Sequence, residues 1–105
     1  MKKEISCCRK KSIENEKLKS LKVFLDAISE ENRLRIICIL GHGERCVCEI
    51  YRYLELPQNL TSYHLNVLEM SKIISSEKRG LKVFYKINNK KLKEHLRSLN
   101  NFLKT

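Results

Sequence analysis

A chain of 105 residues is long enough for one domain with a modest core, and short for a monomer with a deep catalytic cleft. Its formal charge of +10 sits at the two ends: residues 1–22 carry eight Lys/Arg against three acids, residues 77–105 nine against two, and the middle five against seven. Two basic ends suggest a polyanionic partner, most simply nucleic acid, and the sequence has neither an apolar run near the roughly 20 residues of a membrane span nor a secretory leader, so a soluble, cytoplasmic chain that does not engage membranes is expected.

Residues 1–10 are polar and basic without a period, and read as a flexible arm carrying Cys7 and Cys8; residues 11–105 read as one domain. From about Ile13 to Ile28, Leu18, Leu21, Phe24, Leu25 and Ile28 fall at helical spacing. Ser29 is placed as the N-cap of a second helix, EENRLRIICIL, which stops at Gly41. Cys38, inside that run, is expected to be a buried small residue. After a Gly-His-Gly turn, Val47, Ile50, Tyr51 and Leu54 line one face of a short helix, and LPQNL breaks and restarts the chain. The next helix, to about Met70 or Ser71, is expected to bury Leu60, Val67 and Leu68, with His64 packed in its apolar arc. Two β-like runs, KIISSEK and KVFYKI, joined through Arg79-Gly80-Leu81, read as a hairpin. Lys90 to Lys104 repeats leucine at 92, 96, 99 and 103, a helical stripe beside which His95 lies.

This order predicts a mainly α fold with a small β-hairpin: a winged helix-turn-helix, with Lys78, Arg79 and Lys82 where a wing meets phosphates. The striped terminal helices have little core left to cover in so small a domain. Mutual burial across a two-fold axis is their natural use, which predicts a homodimer. On the recognition helix, Asn59, Ser62, Tyr63 and Asn66 fall on the exposed arc, with Gln58 and Thr61 at its N-terminal end.

Five cysteines is a high and odd number for a chain with no leader, which favours metal ligands or reactive thiols over a disulfide framework. The stretch ERCVCEI sets two of them, Cys46 and Cys48, one residue apart. Residues i and i+2 of a regular helix point about 200° apart, so such a pair chelates one ion only where the helix is starting. There the free N–H groups lower thiol pKa, and Arg45 adds positive charge nearby.

The segments NRLRIICIL, ERCVCEI, LPQNLTSYHLNVL and KRGLKVFYKI, in this order over about residues 20–88, resemble the ArsR/SmtB family of metal-sensing winged-helix repressors. The resemblance implies a homodimer that binds operator DNA when metal-free and releases it when metal binds. It implies a thiolate site on the Cys-Val-Cys pair, here Cys46 and Cys48. Arsenic sensors of the family often add a third cysteine three residues later, where this chain has Tyr51. Cadmium and lead sensors complete the site from the N-terminal arm, a role for which Cys7 and Cys8 are placed. The family's second site, on the C-terminal helix, needs an Asp-x-His motif that NNKKLKEHL lacks. Where this chain has Tyr63 the family commonly has histidine.

Soft thiolates select As(III), Sb(III), Cd(II), Pb(II) or Zn(II) over hard cations, and the sequence leaves the ion open. Two other readings stay open as well: a thiol-redox repressor of the same fold, and a small thiol enzyme or metal carrier. No histidine or acid stands as a catalytic partner for the thiols, and no organic cofactor is implied.

Overall fold

A computed structural model describes residues 13–104, so the arm with Cys7 and Cys8 lies outside the described residues. In chain order the elements are α1 (Ile13–Ile28), α2 (Glu31–Gly41), β1 (Arg45–Cys46), α3 (Val47–Leu54), α4 (Gln58–Met70), β2 (Ile74–Arg79), β3 (Lys82–Ile87) and α5 (Asn89–Leu103). The winged helix-turn-helix expected from the sequence is the fold observed, with β1 as an addition. No described helix is long and apolar enough to cross a membrane.

One core holds the elements together. α1 contributes Leu21, Phe24 and Ala27, α2 Ile36 and Leu40, α3 Ile50 and Leu54, α4 Leu65 and Leu68, and the start of the wing Ile73 and Ile74. Each helix presents residues three or four apart, the spacing that puts side chains on one face.

Three sequence expectations shift by one or two residues. Ser29 does not cap α2: its hydroxyl donates to the Asp26 carbonyl at 2.8 Å, closing α1, and Glu30 is the N-cap, its carboxylate accepting the Arg33 N–H at 3.0 Å. Cys38 is exposed, not buried, because Ile36 and Leu40 define the inward face of α2 and a residue two positions on points about 200° away. Leu60 is likewise largely exposed: the inward arc of α4 is Thr61, His64, Leu65 and Leu68, one residue further along the wheel.

The hairpin pairs Ile74 with Ile87 through Arg79 with Lys82, closed by Gly80-Leu81. Gly80 has φ +64 at the first central position of this two-residue turn, a conformation that hairpin turns assign to glycine. β1 adds to the other edge of β3, giving a sheet of order β1-β3-β2. Two residues are too few to show a period, which is why β1 was invisible in the sequence.

α5 returns across α1. His95 stacks on Phe24 at 4.5 Å between ring centroids with 11° between planes. Leu92 and Leu99 reach the core, while Leu96 and Leu103 of the same stripe stay exposed, as do Leu18 and Leu25 on α1. Arg33 of α2 ties distant helices together: its Nε donates to the Ala27 carbonyl of α1, and its Nη1 lies 3.1 Å from Nδ1 of buried His64 on α4. Arginine can only donate, so His64 Nδ1 accepts. His64 is thus the packed histidine expected.

Candidate thiol site and nucleic-acid interface

Cys46 ends β1 and caps α3 at once. Its backbone is extended, φ −68 and ψ 147, and pairs with Phe84 of β3, while Val47 already has helical geometry. Cys48 sits on the first turn. Because one cysteine is on a strand and the other on a helix, the divergence of i and i+2 within a helix does not apply. The two sulfurs stand 2.8 Å apart, Cys46 buried and Cys48 exposed.

Charge and hydrogen bonding make the pair unequal. The Cys48 S–H donates to the Cys46 sulfur, and this bond above all draws the Cys46 thiol below its ordinary pKa, helped by the Cys48 backbone N–H. The same bond pushes Cys48 up, because ionising it removes the donor. The cation felt by both sulfurs is Lys82 of β3. Arg45, expected to add positive charge here, is not among the groups that shift either thiol, and its Nε is buried without a partner. Glu49 opposes the effect slightly and holds the site's frame, its carboxylate accepting the Cys46 N–H at 3.1 Å. The three-residue spacing from cap to Glu49 is half of a capping box, with cysteine where the usual pattern has Ser or Thr.

As a ligand set the pair is soft and incomplete. Two thiolates on one tetrahedral zinc-like ion, at about 2.3 Å each, stand roughly 3.7 Å apart. These sulfurs therefore have to separate to share an ion, which exposed Cys48 is free to do. Among the described residues no group of three His, Cys, Asp or Glu side chains is placed to hold a metal. Tyr51, where an arsenic sensor would have a third cysteine, instead has its hydroxyl 2.9 Å from Ser62 Oγ, linking α3 to α4.

α4 is the second helix of the helix-turn-helix. Gln58, Asn59, Ser62, Tyr63 and Asn66 are exposed along it. Thr61 is the exception to the sequence expectation: its side chain is fully buried and Oγ1 has no hydrogen-bond partner, so it belongs to the core face. On the wing, Lys78 and Lys82 are exposed. Arg79 is engaged within the protein, 2.8 Å from Glu44 and 2.8 Å from Glu77, with its guanidinium over the Phe84 ring at 4.6 Å.

The model of the bacterial regulatory protein, arsR family, matches residues 30–76, which span the helix-turn-helix and the thiol pair. The cadmium resistance transcriptional regulatory protein CadC of Listeria innocua is 35% identical over 97 residues, covering 85% of this chain and 82% of the relative. The chain belongs to the ArsR family. Another relative of this ArsR-family chain, the arsenical resistance operon repressor of Staphylococcus aureus, is 29% identical over 82 residues, 78% of this chain and 79% of that one. Among solved structures, HlyU from Vibrio cholerae N16961 superposes with a TM-score of 0.69 at 30% identity, covering 82% of this chain and 94% of that one. The ArsR-family chain is accordingly a DNA-binding transcriptional regulator, and its relatives are regulators rather than enzymes.

Proposed function

We propose that this regulator is a homodimeric repressor that holds operator DNA when metal-free and releases it when a soft ion, As(III), Sb(III), Cd(II) or Pb(II), binds Cys46 and Cys48. The observation that carries the reading is the meeting of two thiols, 2.8 Å apart, at the junction where β1 becomes the helix preceding α4. Cys7 and Cys8, on the basic arm of residues 1–10, complete the ligand set. The relatives' names, cadmium resistance and arsenical resistance, agree with the chemistry of this donor set.

A bound soft ion supplies affinity for thiolates and charge at this junction. The rest is done by the chain. Cys46, whose thiol ionises more readily than its neighbour's, is the first donor, and Cys48 must release its proton to become the second, so binding releases protons and strengthens with pH. Separating the sulfurs moves the first turn of α3 relative to β1, and the Tyr51–Ser62 bond passes that movement to α4. Gln58, Asn59, Ser62, Tyr63 and Asn66 read base edges and flanking phosphates, and Lys78 and Lys82 meet the backbone. Exposed Leu18, Leu25, Leu96 and Leu103 supply the dimer face.

The test uses a duplex selected by the metal-free, reduced protein from a random-sequence pool. Anisotropy is followed while Cd(II), arsenite and peroxide are added separately, with the ultraviolet sulfur-to-metal band recorded alongside. Loss of DNA together with a stoichiometric band is the expected outcome. Loss with peroxide alone would favour the redox reading. A Cys46→Ser variant that responds fully to metal would remove the site assignment.

A further inference from the structure

The residue before the thiol strand, Glu44, reaches across to the wing. Its carboxylate accepts from Arg79 at 2.8 Å, and the two lie 35 positions apart in the chain. Arg79 is also held by Glu77 at 2.8 Å and lies over Phe84. Phe84 in turn pairs with Cys46, and Lys82, opposite Arg79 at the end of the hairpin, is the cation that both sulfurs feel. One continuous patch therefore runs from the thiols through Lys82, Phe84 and Arg79 to Glu44.

Glu44 differs from an ordinary surface acid in two ways. The hairpin closes on its own ladder of six paired positions and does not need Glu44 to form. And an exposed ion pair contributes little to folding, but such a weak contact is easily made or broken, which suits a control point. Glu44 adds a side-chain tie from the segment before β1 to the tip of a wing whose base already pairs with β1 through β3.

We propose that Glu44 is the positioning residue that joins the thiol segment to the wing: its clasp on Arg79 sets the wing for DNA, and disturbance of β1 at Cys46 is carried to the wing through it. The second half rests on the sensing function proposed above. On this view Arg79 is a brace for the wing, and Lys78 and Lys82 are left as its phosphate contacts.

The test is a double-mutant cycle of Glu44→Gln, Arg79→Gln and both together, with operator affinity measured over a salt series, metal-free and with Cd(II). Simple electrostatics predicts that Glu44→Gln, which raises net charge, tightens DNA binding. The clasp predicts the opposite: about three- to tenfold weaker metal-free binding for either single variant, and no further loss in the double. The salt slope stays that of the wild type in Arg79→Gln, whereas loss of a phosphate contact would lower it by about one. In Glu44→Gln the sulfur-to-metal band persists while the Cd(II)-induced fold-loss of DNA shrinks. Tighter or unchanged binding by Glu44→Gln, additive losses, or a wild-type fold-loss with Cd(II) each overturn the proposal. A wild-type protein whose DNA binding ignores Cd(II), Pb(II), arsenite and antimonite alike overturns the sensing reading instead, and the metal-free cycle then decides the role of Glu44 alone.

Discussion

The sulfur of Cys48 lies 2.8 Å from that of Cys46, yet Cys46 is buried and Cys48 faces solvent. One proton serves both, donated by Cys48 and accepted by Cys46. Removing the donor should therefore raise the Cys46 thiol toward its ordinary pKa. In Cys48→Ala, which leaves no side-chain donor, thiolate absorbance followed against pH is expected to lose its lowest-titrating step compared with wild type. An unchanged low step would mean that Cys46 owes its depression to something other than its neighbour.

Thr61 gives a second expectation, because its hydroxyl is buried and unpartnered. An unsatisfied buried hydroxyl costs on the order of 1–3 kcal/mol, so Thr61→Val should be neutral or stabilising by about 1 kcal/mol in urea unfolding. Its operator affinity should stay within about twofold of wild type, since interface contacts alone carry that energy. A loss of DNA binding in a stable Thr61→Val protein would return Thr61 to the reading face.

The imidazole of His95 is held below its usual pKa, chiefly by burial against Phe24 and then by Lys91. Glu94 and the Ser71 backbone act the other way, and Lys17 and Arg97 line the same cleft. A histidine depressed in the folded state adds stability above its unfolded pKa and loses it as pH falls toward the folded value. His95→Phe, which keeps the stack, should therefore lose less stability than wild type between pH 7 and pH 5, as read by urea midpoints. Equal losses would show that other groups carry the acid sensitivity.

Leu96 and Leu103 are exposed on the stripe whose other members, Leu92 and Leu99, reach the core. A Leu96→Glu, Leu103→Glu double variant should sediment as a monomer and retain its fold by circular dichroism. Operator affinity should fall on the order of tenfold or more as two linked reading heads become one. A wild-type protein that sediments as a monomer would remove the dimer from the proposal.

The terminal helices, the helix-turn-helix and the hairpin were legible because each repeats its apolar residues at its own period over enough length. The thiol pair was legible as a motif, since spacing alone marks it. What escaped was set by tertiary contact. β1 exists because β3 offers it an edge; Leu60 and Thr61 exchange sides because the core, not the wheel's chosen origin, fixes the inward arc of α4. The ties of Glu44 to Arg79 and of Arg33 to His64 join residues more than thirty positions apart, and no local pattern announces them.

Arg33 has one more consequence. It fastens the C-terminal part of α1 to α4 through Ala27 and His64, tying the helix that bears exposed Leu18 and Leu25 to the helix that bears the reading residues. In a two-fold pair built on those leucines, a single guanidinium would then help fix the angular phase between two recognition helices, and with it which half-site spacings along a duplex the protein can straddle.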